Sequence, residues 1–145
     1  MELVVKKFNE LTLDELYEIL KIRVSVFVVE QKCAYQEIDD KDQNAVHIYL
    51  KDENGIEAYL RIFDKGVSFE EVSLGRVVAV KRRCGYAGRI LEEGIKTAKK
   101  EFNAKSIRIE AQTYARKLYE KHGFEQISEE FLEDGIPHIQ MRLEL

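Results

Sequence analysis

Residues 75–102 read GRVVAVKRRCGYAGRILEEGIKTAKKEF. An apolar run closes at Val80, a turn of small and basic residues follows, and an amphipathic run opens behind it. Ile90, Leu91, Ile95, Ala98 and Phe102 recur at helical spacing, so the segment reads as strand, turn and helix. A helix start carries unpaired N–H groups and a partial positive charge. Gly85, Ala87 and Gly88 clear the approach to them, and Lys81, Arg82, Arg83 and Arg89 add charge. That pattern suits an anion such as phosphate. It lacks the Gly-Lys-Ser/Thr ending of a nucleotide P-loop, and its glycine spacing is not that of a dinucleotide fold. A tight turn bearing solvated charges is the plainer alternative.

Working outward, "ELVVKKF" reads as a first strand. Thr12 with Glu15 forms a capping box. Leu13, Leu16, Tyr17, Leu20, Val24 and Phe27 then mark a helix from Leu13 to about Val26. A long acidic stretch, "VEQKCAYQEIDDKDQNA", has no clean period, and loops of that length in compact domains are often functional. "VHIYLKDENGIEAYLRIF" is a hairpin with a type I′ turn expected at Asn54-Gly55. "EVSLGRVVAV" is apolar enough to be a central strand. "KSIRIEA" is another strand, and "YARKLYEKH" is a short helix stopped by Gly123. The remainder gives two closing strands around Asp134-Gly135. The expected order is β-α-β-β-β-α-β-α-β-β, a mixed α/β sheet with parallel pairing in its middle and helices at its flanks.

The chain has 145 residues, which suits one domain over 1–145. Its net charge of −4 argues against a nucleic-acid binder. There is no run long enough for a membrane span and no signal-peptide pattern, so the expected location is cytoplasmic. Cys33 and Cys84 are too few for a disulfide framework or a structural zinc site, and no metal is expected.

Arg82, Gly85 and Ala87 reproduce an Arg-x-x-Gly-x-Ala signature. Together with "ARKLYEKHGF", in which Tyr119 stands four residues before Gly123-Phe124, it resembles the GCN5-related N-acetyltransferase superfamily. "VFVVEQKCAYQEID" and "DGIPHIQM" narrow the resemblance to the ElaA-like branch. The resemblance covers nearly the whole chain. It implies a partly splayed central sheet and acetyl-coenzyme A as donor. The pyrophosphate would lie on the turn formed by Arg82, Arg83, Cys84, Gly85, Tyr86, Ala87, Gly88 and Arg89. Pantetheine would run along Val78, Ala79 and Val80, with the acetyl oxygen near the Val80 N–H. Gln112 stands where relatives often carry Asn and would meet pantetheine or cap the next helix. Tyr119 would protonate the departing thiolate.

The implied reaction is direct transfer, in a ternary complex, to a primary amine of unspecified identity. A base must take the amine's proton. Glu30, Glu37, Asp39, Asp42, Glu110, His47 and His138 are the candidates, with Glu30 the first choice. Arg23, Glu30, Gln31, His47 and His138 are the expected acceptor contacts. Arg23 interrupts an apolar helix face, so an ion pair with the acidic stretch is the safer reading beside a substrate contact. The acidic run at Glu37 to Asp42 either attracts a cationic acceptor or is simply solvated. The protein is expected as monomer or homodimer. Two other functions stay open, a coenzyme A-binding sensor without turnover and an anion-binding module for another nucleotide.

Overall fold

A computed structural model describes residues 1–81 and 84–145. Arg82 and Arg83, expected in the phosphate turn, lie outside the described residues. The elements are β1 (Glu2–Lys7), α1 (Leu13–Val24), β2 (Ala45–Asp52), β3 (Gly55–Phe63), β4 (Val72–Ala79), α2 (Tyr86–Phe102), β5 (Ser106–Gln112), α3 (Arg116–Lys121), β6 (Glu125–Gln126), β7 (Phe131–Glu133) and β8 (Ile136–Glu144). They form one sheet in the order β1-β2-β3-β4-β5-β8-β6, with β7 also paired to β8. The expected order therefore holds, with one short extra strand at the end.

Among the described residues the sheet is parallel at one junction only, between β4 and β5. The other pairings are antiparallel. Sequence order alone suggests more parallel pairing, but β8 returns beside β5 through the hairpin with β7. The β4–β5 ladder is also short. Val72 faces Ile107 and Ser73 faces Arg108, and no pairing continues beyond them. The two strands diverge toward their C-terminal ends, and the upper half of β4 keeps only its β3 partner.

The two sheet faces are packed differently. Val46, Ile48, Leu50, Ala58, Leu60 and Ile62 face α2 through Ile90, Leu91 and Ala98. Val4, Tyr49, Ile56 and Tyr59 pack against Ile19 of α1. Alternation along β2 and β3 supplies both faces at once. Helix α2 comes close to the sheet because Gly94 has no side chain; a Cβ there would lie 2.9 Å from Leu60 Cδ2.

Helix α1 begins as its capping box requires, with Glu15 N–H donating to Thr12 Oγ1 and Thr12 N–H to Glu15 Oε1. Instead of fraying near Val26 it widens into a π-helical turn over Ser25–Glu30. The hairpin turn between β2 and β3 is centred on Glu53 and Asn54, because Asp52 pairs with Gly55. A type I′ turn needs positive φ at both central residues. Here Gly55 alone turns positive, at 114°, so the expected turn type is not formed. Asp134 and Gly135, between β7 and β8, do have positive φ at both positions, 51° and 76°. No helix among the described residues is long and apolar enough to cross a membrane.

Candidate active site

Where β4 and β5 part, a cavity of about 500 Å³ opens. Its walls come from β4 (Gly75, Arg76), β5 (Glu110, Gln112), the π-helical turn (Phe27) and the acidic stretch behind it. Tyr119 of α3 and His138 of β8 complete them. Beside the same gap stands the N-terminus of α2. Gly85 is its N-cap, with φ of 75° and no side-chain cap. Among the described residues no side chain caps the first-turn N–H groups, which suits an external acceptor. A Cβ on Gly85 would meet nothing within 4 Å, so the approach is open. Cys84, Gly85 and Arg89 are exposed there, and Tyr86, Ala87 and Gly88 half-buried.

The backbone of β4 is shaped for a guest along its free edge. Arg76 adopts a left-handed φ of 54°, and the β3–β4 register slips by one residue between Tyr59 and Arg61. Such a bulge bends a strand away from its neighbour. Val80 N–H donates to the Glu57 carbonyl at 2.8 Å. That overturns the expectation of a free Val80 N–H for an acetyl oxygen. Amides of successive strand residues point to opposite edges, so Ala79 N–H faces the gap instead. A slot between splayed strands next to an uncapped helix start suits an elongated molecule with an anionic head and a thin polar arm, which is the shape of coenzyme A.

Tyr119 is buried, packs edge-on to Phe124 at 5.7 Å, and lines the cavity. Burial, with a smaller contribution from the Tyr114 phenol, pushes its pKa well above that of free tyrosine. The phenol is therefore protonated at neutral pH. Gln112 is tied to Gln31 by two reciprocal amide hydrogen bonds of 3.1 Å. Both expected residues line the cavity, and their pairing links the end of β5 to the end of the π-helical turn.

The acidic stretch is neither a solvated loop nor a free anionic field. Arg23, with no solvent exposure, donates from Nε to Glu37 Oε2 at 2.8 Å, from Nη1 to Asp42 Oδ1 at 2.6 Å and from Nη2 to the Glu37 carbonyl at 3.3 Å. Arg61 holds Asp39 and Asp42. Arg76 spans both oxygens of Glu37 at 2.9 and 3.0 Å. Its guanidinium also lies 5.8 Å from the rings of both Phe27 and Tyr35. Tyr35 donates a short hydrogen bond to Glu37. Three arginines thus neutralise three carboxylates. Burial would raise the carboxyl pKa values, but the arginines win: Asp39 is lowered to about 2 and Asp42 is lowered as well.

These contacts correct several expectations. Arg23 is an interior counter-ion with no surface to offer an acceptor. Glu37 and Asp42 are buried and paired, so they are not available as bases. His47 is fully buried, with Nδ1 accepting from the Tyr59 hydroxyl at 2.7 Å and Nε2 donating to the Asp42 carbonyl at 2.9 Å. Burial lowers its pKa, and it is not among the described residues that line the cavity. Glu30 is exposed and is not among the described cavity-lining residues.

Gln31, Glu110 and His138 do reach the cavity. So do Arg76, Tyr35 and Glu133, which sequence reading did not single out. Arg76 carried no visible signal, since nothing in "GRVV" announces a left-handed bulge. Glu133 was legible only through its turn, whose Asp134-Gly135 fixes a two-residue hairpin.

The sequence matches the family description "Acetyltransferase (GNAT) domain" over residues 13–145. A UPF0039 protein of Schizosaccharomyces pombe is 43% identical, covering 100% of this chain and 98% of the relative. ElaA of Escherichia coli is 33% identical over 94% of this chain and 92% of its own. In structure, this chain superimposes on Escherichia coli ElaA with a TM-score of 0.92 at 32% identity, covering 99% and 100% of the two chains. An acyl-CoA N-acyltransferase from Pseudomonas aeruginosa also matches with a TM-score of 0.92, at 35% identity and 99% coverage of both chains.

Proposed function

Since this chain belongs to the GNAT acetyltransferase family, in its ElaA-like part, we propose that it moves the acetyl group of acetyl-coenzyme A to a primary amine. Transfer is direct, within a ternary complex, on a single domain working in the cytoplasm. One observation carries this reading. The gap between β4 and β5 runs from the uncapped start of α2 into a cavity walled by a buried, protonated tyrosine.

Acetyl-coenzyme A supplies an activated thioester. The chain supplies the rest. N–H groups of the first turn of α2, with the 84–89 segment, hold the pyrophosphate. The free edge of Val78 to Val80 lines the pantetheine path, and the Ala79 N–H takes over the carbonyl-polarising task first expected of Val80. Tyr119 gives its proton to the departing thiolate. A pure coenzyme sensor would have no use for an acid at that wall, which favours turnover over binding alone.

The test is thermal unfolding with millimolar acetyl-coenzyme A against ATP as control. A ligand that binds only the folded state raises stability by RT ln(1 + [L]/Kd), so ~10 μM affinity gives about 2.7 kcal/mol at 1 mM. An upward shift with acetyl-coenzyme A alone is expected, followed by amine-dependent thiol release. Equal shifts with ATP, or none with either, would remove the coenzyme reading.

A further inference from the structure

Resting on that transferase reading, we propose that His138 is the general base that takes the proton of the acceptor amine. Among the described residues of the cavity wall, Asp39 is bound by arginine. Glu110 is the competing base, because burial and the neighbouring Glu133 carboxyl raise its pKa and so strengthen it as a proton acceptor. His138 is preferred to it for its geometry.

Its ring is fixed from several sides. Nδ1 lies 2.7 Å from the Ile136 carbonyl oxygen. A carbonyl only accepts, so Nδ1 carries the hydrogen and Nε2 keeps the lone pair. Phe131, directly across the β7–β8 ladder, stacks on the ring with centroids 6.1 Å apart and planes at 25°. On the other side His138 sits opposite Gln112 of β5. A histidine between two strands, with its tautomer set by a backbone carbonyl, is pre-organised to accept at one nitrogen.

The charge that results has a place to go. Glu133 Oε2 lies 3.9 Å from His138 Nε2. The His138 side chain is 13% exposed and that of Glu133 50%. The proton thus passes from a half-buried wall toward solvent. The charged or titratable groups facing the ring are Glu133 of β7 and Glu110 of β5, with Asp134 at the turn beside them; no described lysine or arginine pairs with it.

In the step, the amine nitrogen bonds to the acetyl carbon and yields one proton to Nε2. The carbon–sulfur bond breaks with its electron pair on sulfur, and Tyr119 protonates that thiolate. The imidazolium then gives up its proton and the tyrosinate regains one through solvent, which closes the balance.

Two readouts test this. Nitrogen-15 spectra of the coenzyme-bound protein report the His138 tautomer without any acceptor; hydrogen on Nδ1 is expected, and hydrogen on Nε2 would overturn the proposal. Thiol release from acetyl-coenzyme A with benzylamine as acceptor reports the chemistry. His138→Ala should lower kcat by about 10²–10⁴-fold. It should also erase the acidic limb of the pH–rate profile, regain rate with added imidazole, and leave the acetyl-coenzyme A thermal shift unchanged. A variant as fast as wild type, with wild-type coenzyme binding, sinks the base role alone. Absence of coenzyme binding in the wild type sinks the transferase reading beneath it.

Discussion

Arg23→Met tests whether the site's outer wall is held by buried charge. Methionine keeps most of the arginine's volume, so the change removes charge and hydrogen bonds with little cavity. Three hydrogen bonds disappear, two to Glu37 and one to Asp42. Glu37 keeps Arg76 and Asp42 keeps Arg61, but three carboxylates, two of them buried, then face two guanidinium groups. Breaking a buried pair from one side costs about 3–5 kcal/mol. With a urea m-value near ~2 kcal/mol/M, the unfolding midpoint should fall by about 2 M. An equivalent loss in melting temperature is about 10 °C. The exposed pair Lys51–Glu2, at 3.6 Å, is the internal contrast, and Lys51→Met should change stability by less than about 1 kcal/mol. Urea unfolding of the three proteins, followed by far-UV circular dichroism, decides it. A midpoint shift for Arg23→Met below about 0.5 M, as small as that of a surface pair, would refute the idea that this network fixes the wall.

Tyr119→Phe should cut thiol release by about 10²-fold or more while acetyl-coenzyme A affinity by calorimetry stays near wild type; unchanged turnover would remove the acid assignment. Gly85→Val forces a β-branched residue to a φ of 75° and projects methyls into the open approach to α2. A stability loss of about 1–3 kcal/mol from strain and a clear drop in coenzyme affinity of the folded protein are expected; intact affinity would show that the pyrophosphate does not use this turn. Acid stability follows from Asp39, whose carboxyl is lowered from 3.8 to about 2 by Arg61 in spite of burial. A carboxyl lowered by folding stabilises above its unfolded pKa and loses that contribution as pH falls through the folded value. Urea midpoints should therefore drop between about pH 4 and pH 2, and a flat profile there would contradict the paired state of Asp39.

The parts legible in the sequence were those fixed by local chemistry. Thr12 and Glu15 close the capping box they spell. The apolar period after Gly85 gives α2, and Gly123 ends α3 with a φ of 93°. What sequence order could not show was how far two strands stay paired. The β4–β5 ladder stops after Ser73–Arg108, yet nothing in "GRVVAV" or "IRIEAQ" marks that limit. Asn54-Gly55 illustrates the same gap, because a dipeptide's preference yields to the register its strands adopt.

The acidic stretch is the most instructive case. Glu37 and Asp42 lie 14 and 19 residues from Arg23, too far for any helical or strand period to connect them. The one trace was Arg23 itself, a cation on an apolar helix face. A buried arginine must find carboxylates, and the acidic run from Glu37 to Asp42 supplies them. Taken seriously, that trace does more than explain stability. Each carboxylate claimed by an arginine is withdrawn from proton transfer, so Glu37, Asp39 and Asp42 drop out as bases together. The same network that hardens one wall of the cavity thereby shifts the chemistry to the opposite wall, where His138 and Glu133 meet no competing cation among the described residues.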